Sequence, residues 1–186
     1  MGKIFYTSDL HLGHYNAIRF DNRPWNTVDE MDEGIIQRWN KKVSANDTVY
    51  ILGDVSWYKD VKQTVALLKR LNGKKILICG NHDYHRNKPE FAACFEYIKD
   101  YDEIRDGKYN VVLSHYPIMF YKNQRRGWVH LYGHLHIGID ETLCSNMIQQ
   151  LQEAGINARM YNVGTMLWDY EPVTLEEIFR KHKVAS

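Results

Sequence analysis

The stretch from Gly80 to Asp83 constrains the fold most, because it directly follows the apolar run from Lys75 to Cys79. Such a run is typical of a buried strand, so the stretch marks the point where that strand ends. Glycine permits a sharp turn there, an amide oxygen can bind a metal, and an imidazole beside a carboxylate can transfer protons. The same residue types also form ordinary turns. The rest of the chain decides between these two interpretations.

The chain before this stretch predicts a regular alternation of strands and helices. Strands are predicted at three places, over residues 3–8, 48–52 and 75–79. A capping box at Thr27 and Glu30 begins a helix that runs to about Val43, and a second amphipathic helix spans 59–71. Strands separated by helices of these lengths are typical of a parallel sheet. We therefore expect several strands to end at one common edge.

The predicted pattern changes beyond residue 89. A short helix over 89–95 precedes two strands, over 97–105 and 108–114, joined by a tight turn at Asp106 and Gly107. A basic loop around Arg125 then leads to the remaining elements, which are strands over 128–132 and 158–163, a helix over 141–154 and a last helix capped by Thr174. The sequence contains no internal repeat, so we predict one domain over residues 1–186.

Composition and charge argue against several classes of protein. Hydrophobic residues make up 44% of the 186, which supports one packed core, and a net charge of +1 indicates no nucleic-acid or membrane surface. The scattered Cys79, Cys94 and Cys144 fit neither a disulfide framework nor a cysteine zinc site. No stretch reaches the roughly 18 apolar residues of a membrane span, and no signal-peptide core precedes Asp9. We expect a soluble, cytoplasmic protein.

Side chains that can bind metal follow the predicted strands, at the point where each strand ends. They are Asp9, His11, Asp54, Asn81, His115, His134 and His136. Their donors are oxygen and imidazole nitrogen without thiolate, a mixture that suits Mn, Fe, Zn, Ni or Co better than Ca or Mg. Seven donors are too many for one closed tetrahedral site but suit two adjacent ions that share a carboxylate. We predict an open catalytic centre of two divalent transition-metal ions, with manganese the first choice.

The chain resembles the calcineurin-like metallophosphoesterase superfamily in five ordered motifs. They are Asp9-x-His11, Gly53-Asp54, Gly80-Asn81-His82-Asp83, His115 and Gly133-His134-x-His136. The resemblance implies an α/β (α+β) fold, a four-layer sandwich of two mixed β-sheets flanked by helices. It also implies a role for each donor: Asp9, His11 and His136 on one ion, Asn81, His115 and His134 on the other, and Asp54 bridging both.

The chemistry expected of such a centre is hydrolysis of a phosphate ester. Two ions about 3.5 to 4 Å apart would lower the pKa of a bridging water, and the resulting hydroxide would attack phosphorus in line with the leaving group. The resemblance implies that His82 is the catalytic histidine. Asp83 would hydrogen-bond one ring nitrogen of His82, which leaves the other to protonate the departing alkoxide. On this division of roles, His82→Ala should keep the metal, whereas Asp54→Ala should lose it.

The substrate is constrained less than the reaction. The family includes phosphomonoesterases, phosphodiesterases, nucleases and pyrophosphatases, but a compact chain of nearly zero net charge favours a small phosphorylated substrate. We expect a phosphodiester such as a nucleotide derivative, with a phosphomonoester as the alternative. Five loop residues are candidate substrate ligands, namely Arg23, His14, Asn16, Arg125 and Arg126. The alternative for each of them is a solvated surface side chain.

Two hypotheses from other classes accompany the enzyme. A catalytically silent binding scaffold would not need to hold two transition-metal ions, so equilibrium dialysis separates it from a metalloenzyme. A nucleic-acid-binding module would need a basic, aromatic surface, which the sequence does not indicate, and would bind oligonucleotides in a salt-sensitive way. Retention of all seven metal donors together with His82 favours the enzyme.

Overall fold

A computed structural model describes residues 2–184, which form two four-stranded sheets flanked by helices. The first sheet has the order β1-β2-β3-β4, with strands Ile4–Thr7, Thr48–Ile51, Lys74–Ile78 and Ile98–Lys99. The second has the order β5-β6-β7-β8, with strands Tyr101–Asp106, Tyr109–Ser114, Val129–Tyr132 and Arg159–Asn162. The helices are α1 Tyr15–Phe20, α2 Val28–Lys42, α3 Val61–Leu68, α4 Pro89–Ala92, α5 Ile139–Glu153 and α6 Leu175–Val184.

The four strands of the first sheet run parallel, and an antiparallel bridge joins Tyr6 of β1 to Val173. Parallel neighbours need crossover connections, and α2 and α3 supply them between β1 and β2 and between β2 and β3. The capping box predicted for α2 is present: Thr27 accepts from the Glu30 amide, and Glu30 accepts from the Thr27 amide. The sequence therefore located this crossover helix correctly.

Alternate residues of the first sheet face two different layers. Phe5, Val49 and Leu77 belong to a core that includes Met31 and Trp39 of α2. Their chain neighbours, among them Tyr6 and Ile76, pack instead against second-sheet residues. This alternation follows from the two-residue period of a strand, and it places the two sheets face to face.

The second sheet is mixed, because β5 pairs antiparallel with β6 whereas β6, β7 and β8 run parallel. Leu113 and Leu131 face the first sheet, and Val112 and Tyr132 face outward toward Cys144 of α5. The order is thus helices, sheet, sheet, helix, which agrees with the predicted four-layer sandwich. Within residues 2–184, no helix combines the length and apolar character needed to cross a bilayer.

One predicted strand proved to be two. The segment 97–105 was expected to form one strand, but β4 pairs with β3 in the first sheet while β5 pairs with β6 in the second. The chain bends between them at Asp100, whose two carboxylate oxygens accept hydrogen bonds from Nη1 and Nη2 of Arg86. Residue alternation indicates extended backbone but does not identify the partner strand, so the change of sheet at Asp100 had no signature in the pattern.

Candidate metal centre

The loops that follow β1 and β7 bring together Asp9, His11 and His136, which we call the first group. His11 Nε2 lies 3.2 Å from His136 Nε2, and Asp9 Oδ1 lies 3.9 and 3.8 Å from the same two nitrogens. Asp9 and His11 are buried, whereas the His136 side chain is 32% exposed. The predicted donors of the first ion therefore converge from both sheets on one point.

The loops after β2, β6 and β7 bring together Asp54, His115 and His134, which with Asn81 we call the second group. His115 Nε2 lies 2.9 Å from Asn81 Oδ1, 3.2 Å from His134 Nδ1 and 3.7 Å from Asp54 Oδ2. Asp54 and His115 are buried, His134 is half-buried and Asn81 is exposed. One side of this group consequently faces solvent.

Asp54 lies between the two groups. Its Oδ2 atom is 3.7 Å from His11 Nε2 of the first group and 3.7 Å from His115 Nε2 of the second. Its other oxygen, Oδ1, accepts a hydrogen bond of 2.9 Å from the His82 amide. One carboxylate oxygen is therefore equidistant from a histidine nitrogen of each group, a position from which it could bind an ion in both.

The donor atoms suit metal ions, and one of them lacks any other partner. Asp9 Oδ1 is buried and has no hydrogen-bond partner among the described residues, a costly state for a carboxylate oxygen unless a cation meets it. Two ligands bonded to one ion at about 2.1 Å each stand roughly 3 to 4 Å apart, which matches the separations within both groups. The seven residues fit two adjacent ions, each bound by oxygen and imidazole nitrogen.

Burial and neighbouring charges shift the pKa values of four of the donors. Burial lowers the pKa of His11 well below its usual value and lowers that of His134, so both rings are neutral and keep a lone pair. Burial raises the pKa of Asp9, because removal from water disfavours a charged carboxylate that no cation stabilises. Burial also opposes the charged form of His136, but its hydrogen bond to Asp21 and the charge of Asp9 outweigh this and raise its pKa.

The backbone at the centre departs from regular conformations. Asp9, His11, Asp54 and His134 have φ values of 57°, 49°, 57° and 68°, in the left-handed region that non-glycine residues seldom occupy. A Cβ atom on Gly80 would overlap Asp54 Oδ1, so only glycine allows that close approach. Such conformations concentrate at functional sites, where the surrounding structure enforces them.

A buried carboxylate that the sequence did not reveal orients the first group. Asp21 Oδ1 lies 2.8 Å from His136 Nδ1, which turns Nε2 toward Asp9 and His11. Asp21 Oδ2 accepts from Arg23 Nε at 3.0 Å and from Arg23 Nη2 at 2.9 Å. Although burial acts to raise it, the pKa of Asp21 lies below its usual value because His136 and Arg23 stabilise the charged form. The corresponding partner in the second group is a neutral carbonyl, because Leu52 O lies 2.7 Å from His115 Nδ1.

The prediction that Arg23 binds substrate was wrong. Its side chain is buried, pairs with Asp21, and donates from Nη1 to Leu10 O at 2.8 Å and from Nη2 to Asp9 O at 3.1 Å. The guanidinium therefore fixes the loop that carries Asp9. It also fixes Asp21, the hydrogen-bond partner of His136. The ion pair between Arg23 and Asp21 could not be predicted from the sequence, because both residues lie in a polar loop without periodicity.

The predicted contact between Asp83 and the His82 ring is also contradicted. The buried Asp83 carboxylate accepts from the backbone amides of Asp54, Val55 and Gly80 at 3.0, 2.9 and 2.7 Å. A short carboxylate in a turn commonly bonds to nearby amides in this way. His82 Nδ1 instead lies 2.7 Å from the Tyr84 hydroxyl. Asp83 thus ties the loop after β3 to the loop after β2.

The remaining candidate substrate ligands differ in position. His14 lies beside the first group, with its ring 5.5 Å from that of His11 and stacked on Trp57 at 4.1 Å. Asn16 is exposed on α1, while Arg125 and Arg126 are exposed in a single 3₁₀ turn. In the described part of the chain, no hydrogen bond or ion pair joins these two arginines to either group. Of these predicted residues, the structure thus brings His14 to the centre.

Comparison with known proteins agrees with the geometry. A family model for calcineurin-like phosphoesterase matches residues 2–182. An uncharacterized protein, MJ1445, of Methanocaldococcus jannaschii is 33% identical over 181 residues, covering 97% of this chain and 91% of its own. The gene 66 protein of Mycobacterium phage D29 is 29% identical, covering 96% and 94%. Among solved structures, AQ665 of Aquifex aeolicus, of unknown function, superposes with a TM-score of 0.74 at 24% identity, covering 97% and 100%.

Proposed function

The chain belongs to the calcineurin-like phosphoesterase family and is a metal-dependent phosphoester hydrolase, and we propose that its substrate is a small phosphodiester, such as a nucleotide derivative. The observation that supports the reaction is the position of Asp54 Oδ2, 3.7 Å from an imidazole of each group. Two divalent ions bound there, manganese in our proposal, would supply positive charge to the phosphoryl oxygens and activate a water molecule. A side-chain nucleophile is then unnecessary.

The residues divide into ligands and a proton donor. The seven donors of the two groups would bind the ions. His82 lies beside them, half-buried, with its ring 6.0 Å from that of His11. An imidazole in that place can contact the leaving oxygen and give it a proton, a step typically worth about 10² to 10⁴ in rate.

The positions of the three candidate arginines support a preference for a diester. A dianionic monoester usually gains from guanidinium groups beyond the metal, because these donate bidentate hydrogen bonds to phosphate. Arg23 is committed to Asp21 and to carbonyl oxygens, and Arg125 and Arg126 are not bonded to the groups among the described residues. A singly charged diester needs less compensation, so its charge suits the two ions alone.

The test is a comparison of bis-p-nitrophenyl phosphate with p-nitrophenyl phosphate, using metal-stripped protein reconstituted with Mn²⁺. We expect faster turnover of the diester. His82→Ala should keep two ions per chain while its kcat falls about 10²- to 10⁴-fold. His85→Gln is the matched control, because that histidine bonds to Tyr58 O at 2.8 Å and is not among the seven donors, and because glutamine preserves a hydrogen-bond donor.

Each other outcome selects an alternative. Faster turnover of the monoester would make the protein a phosphomonoesterase. Binding of two ions without turnover of either ester would favour the scaffold hypothesis. Loss of metal in His82→Ala would show that His82 is a ligand, and would contradict the division of roles.

A further inference from the structure

A catalytic histidine must present one particular ring nitrogen to the substrate, so a second group usually bonds to the other. The adjacent carboxylate cannot serve here, because Asp83 is buried and accepts from three backbone amides. The bond to His82 Nδ1 comes from the Tyr84 hydroxyl at 2.7 Å. This tyrosine side chain is 68% exposed, so core packing does not account for its place.

The surroundings of the His82 ring restrict its rotation. The turn is closed by the Tyr84 amide, which donates to His82 O at 2.9 Å. The Trp57 ring lies 4.4 Å from the His82 ring, and it meets the Tyr84 ring edge-on at 6.4 Å. Trp57 is itself stacked on His14 at 4.1 Å with an interplanar angle of 8°. The imidazole is therefore held between an indole and a phenol, at the side of the first group.

We propose that Tyr84 is the positioning residue for His82, an inference that rests on the hydrolytic function proposed above. The hydroxyl bonds to Nδ1 and leaves Nε2 directed at the leaving group. As the phosphorus–oxygen bond breaks, its electron pair stays on the departing oxygen, and the Nε2 proton neutralises that oxygen. Water supplies the oxygen that replaces it at phosphorus and releases a proton to solvent, and solvent returns a proton to Nε2. Tyr84 gives orientation without adding the negative charge that a carboxylate would bring.

The decisive variant is Tyr84→Phe, which removes the hydroxyl and keeps the ring that meets Trp57. We expect kcat for diphenyl phosphate to fall about 3- to 10-fold, in line with the loss of one hydrogen bond, while KM and metal content stay the same. The loss should be smaller for bis-p-nitrophenyl phosphate, because p-nitrophenolate departs with less need of a proton. Tyr101→Phe is the matched control: it removes a hydroxyl that bonds to Glu103 at 2.9 Å on β5.

A double variant separates positioning from direct contact with substrate. In the His82→Ala background, Tyr84→Phe should cause no further loss, because the residue it positions is absent. A further loss there, or a rise in KM in the single variant, would overturn the proposal and make Tyr84 a substrate-binding residue. An unchanged kcat on diphenyl phosphate would overturn it as well.

A spectroscopic measurement tests the hydrogen bond without any turnover. Long-range ¹⁵N–¹H NMR correlations report which ring nitrogen of each histidine is protonated or hydrogen-bonded. Tyr84→Phe should shift the Nδ1 resonance of His82 and leave His130 unchanged, since His130 is buried and bonds to Val112 O and to the Ile118 amide. An unshifted His82 resonance would overturn the proposal even in an active enzyme. If neither ester is hydrolysed but the resonance shifts, the function has failed and the positioning contact stands.

Discussion

The two ligand groups share a carboxylate but differ in what lies behind them. In the first group, His136 is backed by the Asp21 carboxylate, which is itself paired with Arg23. In the second, His115 is backed by the neutral carbonyl of Leu52. The first group also has a carboxylate of its own, Asp9, whereas the second has an amide. Negative charge is therefore concentrated on the first group.

Exposure differs in the same direction. Each group has two buried ligands and a half-buried histidine, but the second also has Asn81, which lies at the surface. A buried, anionic site holds a cation more tightly and exchanges it more slowly than an open site with fewer charges. We therefore expect the ion in the first group to be the more tightly bound and the ion in the second group to be the more exchangeable.

The largest effect is expected where the groups meet. Asp54→Ala should remove both ions and lower activity by more than the roughly 100-fold that loss of an outer-sphere partner costs, because each ion loses its shared anionic ligand. Metal content by mass spectrometry and kcat on the diester measure this, with the exposed Asp29→Ala as control. Retention of one tightly bound ion would show that Asp54 binds an ion in one group alone, and that the two groups do not share this carboxylate.

The carboxylate behind the first group gives the next effect. Asp21→Asn should weaken the tighter ion by about 10- to 100-fold and leave the other unchanged, because the His136 ring loses its ionic partner. Calorimetric titration with Mn²⁺ measures both affinities. The same change leaves the Arg23 guanidinium buried without a counter-ion, so the free energy of unfolding should fall by about 3 to 5 kcal/mol. Folding is verified by circular dichroism at low temperature. Equal weakening of both ions would contradict the assignment of Asp21 to the first group.

The smallest effect is expected at the exposed ligand. Asn81→Ala should weaken only the second ion, by about 10-fold, because water can occupy the open position. Activity should then recover when the Mn²⁺ concentration is raised about tenfold. Titration of activity against Mn²⁺ for the wild type and the variant checks this expectation. If the tighter ion is the one lost, the order of affinities inferred from exposure is reversed.

Sequence reasoning succeeded where a strand end and a short motif coincide. Each of the five ligand-bearing loops follows an apolar run. Parallel strand order accounts for Asp9 and Asp54 at one edge of the first sheet, whereas the resemblance to the family implied that His134 would join them. The capping box at Thr27 likewise marked its helix correctly. In these places local pattern and global fold depend on the same residues.

The predictions from sequence were wrong where a polar side chain could form hydrogen bonds with several alternative partners. Asp83 stands beside His82 in the chain, but three backbone amides compete for its oxygens and the turn directs it inward. Arg23 was interpreted as a phosphate ligand because nothing in a polar loop shows that Asp21 neutralises it. Tyr84 was overlooked for a related reason, since an exposed tyrosine after a turn is unremarkable in a sequence.

The two sheets meet at the metal centre, since neither group is built from one sheet alone. Asp9 and His11 follow β1 of the first sheet, but His136 follows β7 of the second. Asp54 follows β2, whereas His115 follows β6. An ion bound by such ligands acts as a cross-link between sheets otherwise held by side-chain packing, and at 100 times its dissociation constant it adds about 2.7 kcal/mol to folding. Metal supply and the cohesion of the fold are thereby thermodynamically linked, and a chain depleted of ions is weakened along the seam where its substrate would bind.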